Sequence, residues 1–354
     1  MNAHSHQSRP AERFFRAVVW LGLLFFAVNG MALSFKFIFH RTPPVVVNLP
    51  ADADSATIQA ALDHLPDSGG EVILPAGRFI ISQPIALKRS HQTLRGAGDA
   101  TVLRLADLAN CPVIIMGEPV NNPKHAVKHL CVSGLFIDGN RRRQQRELWR
   151  LTGEGSQIHN NGITVQNVSD SLVENVTCAA CRSGGLVTTR NVRRLTVRHL
   201  TAFENQFDGL ACYATEHCQF TDLYLHDNPG AGISLDLAFN HNVISNAVLV
   251  ANDLGVFMRA SRDNQFFNLS IRNSHHFGVF MAQTGIETAD GWQPKPQTEC
   301  TDNAFTNLNA VHCGGAAFRV NDVSCVNNVV IRPSFSRNPK GGLSLARPDL
   351  VMVE

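Results

Sequence analysis

The chain has 354 residues, of which 44% are hydrophobic and only 17% are charged, and its formal net charge is +2. This hydrophobic fraction fits a folded protein and excludes a disordered one. The near-neutral balance, without a basic stripe interleaved with aromatic residues, argues against a nucleic-acid partner.

The first predicted element is an apolar segment from Ala17 to Phe35, interrupted only by Asn29 and Ser34. Its length is just sufficient to span a bilayer, which needs about 20 apolar residues. Basic residues flank it on both sides, and those upstream favour a cytoplasmic N-terminus. A cleaved signal peptide is the alternative, because Gly30-Met31-Ala32 offers small residues at the spacing that a signal peptidase requires.

These features divide the chain into two parts. Residues 1–41 are predicted to be a cytoplasmic tail with a transmembrane anchor or a signal peptide, and residues 42–354 a folded domain. In both alternatives the folded domain is exported, either as the periplasmic or extracellular part of a single-pass membrane protein or as a secreted protein. In the anchored alternative, the membrane is a partner through the N-terminal segment.

The folded domain opens with short motifs near its N-terminus. Residues 57–65 have a helical pattern, with Asp54 or Ser55 as the N-cap. A glycine-rich stretch, Gly-Gly-Glu-Val-Ile-Leu-Pro-Ala-Gly, follows at 69–77, and Thr-Leu-Arg-Gly-Ala-Gly at 93–98 is predicted to form a turn. Together these motifs are expected to cap the fold that begins after them.

A repeat of 23 or 24 residues occupies the middle of the chain. Each unit has a glycine that opens a short apolar run and a second apolar run about ten residues later, with Asn or Asp at the turns between them. Such short strands bury little alone, but stacked units pair equivalent strands about 4.8 Å apart. The repeat therefore predicts an all-β fold, a right-handed parallel β-helix with a short N-terminal capping helix. The glycines are Gly162, Gly185, Gly209, Gly232, Gly255 and Gly278, with Gly315 and Gly342 after longer gaps.

Nine cysteines are spread through the folded domain, and the odd number leaves at least one thiol free. Cys178 and Cys181 form a C-x-x-C pair, but no second such pair completes a zinc site. We expect the cysteines to be small buried side chains. A disulfide between neighbouring coils is the alternative.

The N-terminal motifs carry a resemblance. A helix followed by Gly-Gly-x-Val-x-Leu-Pro-Ala-Gly and Leu-x-Gly-x-Gly resembles the N-terminal cap of the pectate-lyase-like β-helix superfamily. Ile-Asp-Gly-Asn-Arg at 137–141, followed by coils that contain Asn-Gly, is similar to the catalytic module of mannuronan carbon-5 epimerases. The resemblance covers residues 48–285 and implies a carbohydrate-active protein that acts on an anionic, uronate-containing polysaccharide.

The chain departs from those epimerases at their catalytic motif. The epimerases carry Asp-Pro-His after a coil glycine, where this chain has Val187-Thr188-Thr189, and an acidic residue on the next coil, where this chain has Tyr213. The resemblance therefore does not carry the epimerase catalytic set over to this chain. Any such chemistry is expected one or two coils further on.

Side chains alternate along a strand, so the first and third residues after each glycine share one face. These residues are almost all apolar and are predicted to form the core, which leaves the second and fourth residues facing outward. The position-two column is Thr164, Val187, Ala211, Ser234, Phe257 and Phe280, and the position-four column is Gln166, Thr189, Tyr213, Asp236, Arg259 and Ala282.

The position-four column supplies the candidate catalytic residues, because Tyr213, Asp236 and Arg259 would form a row roughly 10 Å long. Elimination or epimerisation of a uronate requires a cation for the carboxylate, a base for the proton at carbon 5 and an acid. Arg259 is the candidate cation and Tyr213 the candidate base or acid. Asp236 would orient Arg259 or carry a proton, and His276 is a further candidate acid or base.

Candidate substrate-binding residues surround this row. Phe257 and Phe280 would make a flat surface for a sugar ring, and the turns that enter the strands add carboxylates and an imidazole. The insertion at 284–298 is expected to fold over the same side. The predicted binding residues are Asp208, Asp253, Phe257, His275, Phe280 and Trp292.

Other interpretations stay open from the sequence alone. Hydrolysis of a glycosidic bond needs an acid and a base carboxyl, which Asp208, Asp236 and Asp253 could supply. A calcium-assisted lyase would need an oxygen-rich cluster, with Asp227 added to Asp236 and Asp253, and no other cofactor or metal is predicted. A non-catalytic β-helix that binds a polysaccharide during export or assembly is the remaining alternative, with Asp236 and Arg259 as a surface ion pair.

Overall fold

The computed structural model describes residues 45–145, 159–283 and 297–354. The predicted membrane or signal segment and Trp292 lie outside these residues. Within the three described ranges, no helix has the length and apolar character that crossing a membrane requires.

The described residues form β-strands, the α-helix α1 (Ser55–Asp63) and two 3-10 turns at Arg141–Arg143 and Pro348–Leu350. The N-terminal strands are β1 Val45–Asn48, β2 Gly70–Ile73, β3 Gly77–Ile81, β4 Ile85–Leu87, β5 Gln92–Leu105, β6 Ile114–Met116, β7 Val127–Lys128 and β8 Cys131–Asp138. The central strands are β9 Ile163–Gln166, β10 Val168–Ala179, β11 Leu186–Thr189, β12 Val192–Phe203, β13 Leu210–Glu216, β14 Gln219–His226, β15 Ala231–Asn240, β16 Val243–Val250, β17 Leu254–Arg259 and β18 Ser261–Arg262. The C-terminal strands are β19 Gln265–Arg272, β20 Val279–Ala282, β21 Ala304–Val311, β22 Phe318–Val320, β23 Asn328–Ile331, β24 Ser334–Ser336, β25 Leu343–Leu345 and β26 Val351–Val353.

The strands pair in parallel with the equivalent strands one coil away. One line runs β4, β6, β9, β11, β13, β15, β17, β20, β22 and β25. A second runs β5, β8, β10, β12, β14, β16, β19, β21 and β23. Parallel strands joined by crossovers take the right-handed sense. The predicted parallel β-helix is therefore confirmed.

The core is built from the first and third residues after each coil glycine, as predicted. All of these side chains are fully buried, including Thr188, whose hydroxyl is hydrogen-bonded to the Thr215 hydroxyl at 2.6 Å. They are Ile163, Val165, Leu186, Thr188, Leu210, Cys212, Ile233, Leu235, Val256, Met258, Val279 and Met281.

The N-terminal cap differs from the prediction in two details. Asp54 is the N-cap and accepts the Thr57 backbone N–H at 2.8 Å, but the helix ends at Asp63 and not at Leu65. Leu65 precedes Pro66, and the residue before a proline avoids helical backbone. Residues 93–98, predicted as a turn, belong to β5, where register shifts on either side of Gly98 absorb the extra residues as bulges.

Asparagines that were predicted only as turn residues form buried ladders inside the coils. Asn205, Asn228 and Asn252 lie on successive coils and are at most 1% exposed. The Asn228 amide oxygen accepts from Asn205 at 3.1 Å, and its amide nitrogen donates to Asn252 at 2.9 Å and to the Ala202 carbonyl at 3.1 Å. A second ladder joins Asn242, Asn264, Asn303 and Asn328.

All nine cysteines fall within the described ranges, and none forms a disulfide there. Seven are buried, while Cys111 and Cys131 are half-buried. Burial raises the pKa of Cys218 to about 12 and that of Cys111 to about 11. The Cys218 and Cys111 thiols are therefore protonated at neutral pH. The burial of seven of the cysteines agrees with the prediction of small buried side chains.

Candidate functional site

A cavity of about 280 Å³ opens on the outer face of strands β13, β15 and β17. Its floor is part of the position-two column: Val187, Ala211, Ser234 and Phe257. The row Tyr213, Asp236 and Arg259 forms one wall, and the turns that enter the strands form the other. The predicted row and the predicted turn residues therefore face each other across the cavity.

The cavity exists because small residues replace large ones on two coils. Ala211 and Ser234 occupy the floor where the next two coils carry Phe257 and Phe280. On the turn side, a side chain at Gly230 would have its Cβ 2.6 Å from an Asp208 carboxylate oxygen. Glycine at this position therefore leaves room for the Asp208 carboxylate.

The three residues of the row lie on consecutive coils. Tyr213 is in register with Asp236, and the Arg259 guanidinium forms an ion pair with Asp236. The Asp236 side chain is only 3% exposed and also accepts the Leu237 backbone N–H at 2.8 Å. The Arg259 guanidinium carbon lies 5.1 Å from the centre of the Phe257 ring. Asp236 therefore fixes the position of Arg259 above the floor.

The turn wall carries two carboxylates at different heights. Asp208 accepts the Ala231 backbone N–H at 2.7 Å. Two coils along, Asp253 lies 2.7 Å from Nδ1 of His276, which donates when it carries the proton. Backbone hydrogen bonds join Phe207, Gly230, Asp253 and His276 in one column.

His159 is a cavity residue that sequence reasoning missed. Its Nε2 atom is buried and has no hydrogen-bond partner. Burial lowers the pKa of His159 to about 4, so the ring is neutral at pH 7. His159 precedes the first repeat glycine, so no periodic signal marks it. A neutral imidazole with an unused nitrogen can donate a hydrogen bond to a ligand or accept one.

The structure brings most of the predicted site residues together. Asp208, Tyr213, Asp236, Asp253, Phe257 and Arg259 all line the cavity. His276 contacts the cavity through Asp253, and Phe280 stacks on Phe257 with ring centres 5.9 Å apart. His275 is exposed and lies outside the lining.

The calcium cluster considered from the sequence does not assemble. Asp227 is paired with His226 at 2.6 Å in a turn outside the cavity lining. Among the residues that the structure describes, no group of three or more His, Cys, Asp or Glu side chains is placed to hold a metal ion.

The coil architecture defines the class of this protein. It is a right-handed parallel β-helix, the fold of the pectate-lyase-like superfamily that the N-terminal motifs resemble. The model of the family described as "Periplasmic copper-binding protein (NosD)" matches residues 129–332, more than half of the chain. The chain therefore belongs to the NosD family.

Solved structures share this fold at low sequence identity. ORF18 of Geobacillus virus E2 is similar with a TM-score of 0.70 and 13% identity, over 93% of this chain and 64% of that protein. The chain therefore spans less than two thirds of the length of ORF18. A polygalacturonase from Erwinia carotovora ssp. carotovora is similar with a TM-score of 0.58 and 14% identity, over 89% of this chain and 97% of that enzyme.

The A-module of a mannuronan C-5 epimerase from Azotobacter vinelandii matches with a TM-score of 0.47 and 15% identity, over 86% of this chain and 96% of the module. No curated protein sequence matches the chain significantly. At these identities, the likeness concerns the fold alone.

Proposed function

We propose that this protein hydrolyses a glycosidic bond of an anionic polysaccharide in the cavity, with Asp208 and Asp253 as the acid and base. The observation that carries the proposal is that two carboxylates lie on one wall, two coils apart. Phe207, the neighbour of Asp208 in the chain, lies in one column with Asp253, two inter-strand steps or about 10 Å away. Inverting glycosidases place their two carboxyl groups about 6.5–9.5 Å apart, which leaves room for the attacking water.

Each carboxylate is assigned one role in this proposal. Asp253 accepts from His276 and is 34% exposed, so it is assigned as the base that activates water. Asp208 is the acid that protonates the leaving oxygen. Arg259 and the Phe257 ring lie opposite and would orient the sugar. His159 would hydrogen-bond a sugar hydroxyl through its Nε2 atom.

The test is incubation of the exported domain with polygalacturonate, alginate and a neutral glucan. New reducing ends without ultraviolet absorbance from a conjugated double bond are expected on an anionic polymer. Asp208→Asn and Asp253→Asn should each lower kcat about 10²- to 10⁴-fold, since each removes one acid–base group. Asp222→Asn is the matched control, because Asp222 lies on another face and bonds Asn246. Full activity in both cavity variants would refute the assignment.

A second candidate function is favoured by the row Tyr213, Asp236 and Arg259. A tyrosine beside a fixed guanidinium is suited to β-elimination or carbon-5 epimerisation of a uronate. An unsaturated product, or solvent deuterium at carbon 5, would support this candidate. Tyr213→Phe would then abolish turnover, whereas Tyr224→Phe, on an exposed strand face, would not. Binding of a polymer without any of these products would instead support the non-catalytic function in export or assembly.

We also propose that the domain is exported. The NosD family is described as periplasmic, and the predicted N-terminal segment would act as an anchor or a signal. To test this placement, a reporter that is active only outside the cytoplasm is fused to the C-terminus. Activity of the fusion is expected, and its loss after deletion of residues 17–35 would tie export to that segment.

Copper, which the family description names, is not part of the proposed mechanism. The described residues offer no group of three or more metal-binding side chains. Among the residues that line the cavity, His159 is the single imidazole, and no thiol or thioether is present. This donor set does not fit a copper centre.

A further inference from the structure

The exposure of the side chains in the position-two column changes at the cavity. Val187, Ala211 and Ser234 form the cavity floor; the preceding Ala86, Ile115 and Thr164 are at most 4% exposed, whereas the side chains on the four coils after Ser234 are partly exposed. A ligand lying along this column can therefore continue past the cavity only toward the C-terminal coils. The column in register is Ala86, Ile115, Thr164, Val187, Ala211, Ser234, Phe257, Phe280, Arg319 and Ser344.

Three aromatic rings form a continuous surface on the open side of the cavity. The Phe257 and Phe280 rings are nearly parallel, at 7° with centres 5.9 Å apart, and the Phe277 ring lies 5.5 Å from Phe280. The stacked rings are partly exposed, so they leave apolar area along the column that a sugar ring can contact. We call Phe257, Phe277 and Phe280 the aromatic platform.

Cations border the platform. Arg259 lies over Phe257, and the Lys340 Nζ atom lies 6.0 Å from the centre of the Phe277 ring. Arg319 follows Phe280 on the next coil and is held by the Ser344 hydroxyl at 2.8 Å and the Asn321 amide oxygen at 3.2 Å. These two fixed contacts leave further guanidinium N–H groups of Arg319 for a carboxylate.

We propose that the aromatic platform, with Arg319 and Lys340, is a binding subsite for the anionic sugar units next to the cavity, and that the polysaccharide enters end-on. The inference rests on the proposed function. It adds that the bound sugar units are anionic and that the polysaccharide is cleaved from one end. From Ser234 to Arg319 the column spans three inter-strand steps, about 14 Å, which exceeds one pyranose unit. On the other side, the buried column that precedes Val187 (Thr164, Ile115 and Ala86) blocks the chain, so cleavage is confined to a chain end.

The first test measures binding apart from turnover. The Asp208→Asn protein is titrated calorimetrically with galacturonate, mannuronate and guluronate oligomers of one to four units, and with neutral maltotetraose. Affinity is expected to rise with length for an anionic series, to exceed that for the neutral oligomer and to fall with salt. Arg319→Gln and Phe280→Ala should each weaken tetramer binding about tenfold while leaving monomer binding unchanged.

Arg262→Gln is the matched control, because Arg262 is exposed on another strand and pairs with Asp263. An unchanged tetramer affinity in Arg319→Gln, or equal affinity for neutral and anionic oligomers, overturns the subsite. Failure of every anionic oligomer to bind overturns it as well.

The second test measures product length over time with the wild-type protein on the anionic polymer it binds. End-on entry predicts short products of one size from the start, with a slow fall in viscosity. Early products of many lengths would overturn the end-on mode while leaving hydrolysis intact. Conversely, binding that depends on Arg319 without any new reducing ends would retain the subsite and refute the proposed hydrolysis.

Discussion

Two neighbouring columns of residues along the β-helix differ in whether the same residue recurs on each coil. In the ladder column, Asn205, Asn228 and Asn252 repeat the same residue on three coils, and each is buried. A few residues along, the wall column carries Phe207, Gly230, Asp253 and His276 on successive coils. A repeated residue meets a need that every coil shares, whereas a residue that changes on each coil creates one local environment.

The two columns are also out of step by one residue. One residue separates Asn205 from Phe207 and Asn228 from Gly230, but Asp253 follows Asn252 directly. The shorter turn lets the Asp253 backbone N–H contact both the Asn228 carbonyl at 3.2 Å and the Gly230 carbonyl at 2.9 Å. The cavity wall therefore departs from the repeat at the coil that supplies its second carboxylate.

The largest effect should come at Arg259, a cavity residue that also supports the fold. Arg259→Ala removes the guanidinium from the nearly buried Asp236 carboxylate. Breaking such a pair costs about 4 kcal/mol in the free energy of unfolding, which denaturant titration would measure. Arg194→Ala, which breaks the exposed Arg194–Asp170 pair, should cost less than about 1 kcal/mol. Equal losses in the two variants would mean that the cavity pair is as solvated as the surface pair.

The ladder column should respond next. Asn228→Ala leaves the Ala202 carbonyl and the amides of Asn205 and Asn252 without their shared partner. Because buried groups that lose their hydrogen bonds cost about 1–3 kcal/mol each, a loss of about 3 kcal/mol is expected. Thermal and denaturant unfolding would measure it. A loss below about 1 kcal/mol would indicate that water enters the coil and replaces the amide.

His159 should make the free energy of unfolding depend on pH. Its pKa is lowered to about 4 by burial, whereas an unfolded histidine titrates near 6.5. Between these values the unfolded chain binds a proton that the folded chain does not, so stability falls as pH falls from about 6.5 to about 4 and is unaffected above. The loss at pH 5 should be about 2 kcal/mol. In His159→Gln this part of the pH dependence should vanish, and an unchanged profile would contradict the burial of the ring.

The smallest effect should come from a ladder on the outside of the coils. Asn268 donates to Asn246 at 3.0 Å and accepts from Asn307 at 2.8 Å, but it is exposed. Water replaces both bonds in Asn268→Ala, so the free energy of unfolding should change by about 0.5 kcal/mol or less. A loss as large as that in Asn228→Ala would show that the amide chain, and not its burial, stabilises the coils.

The core and the outward columns were predictable from the sequence, because they follow from the constant repeat along the β-helix axis. A constant spacing between glycines predicts which residues share a column, so the core and the register of Tyr213 with Asp236 followed from it. The same spacing predicted that Asp208 and Asp253 enter the same outer face. These predictions hold because parallel pairing repeats at one fixed interval.

Features that depend on the non-repeating parts were not predictable. His159 lies before the first repeat glycine, so no spacing assigns it to the cavity. The burial of Thr164 and Ser234, on an outward column, depends on what covers each coil. The sequence indicates only turns at these asparagines, because Asn favours turns whether its amide points into the coil or away from it.

The buried ladders restrict how this chain can change its length. Each internal amide must meet the amide of the adjacent layer, so material can be removed or added inside the stack only in whole turns. Excising the 23 residues from 206 to 228 would rejoin layers in phase, whereas excising 22 would strand an amide in apolar surroundings and reverse the facing of the next strand. The molecule therefore lends itself to modular engineering, in which entire layers are exchanged to lengthen the proposed sugar-binding surface.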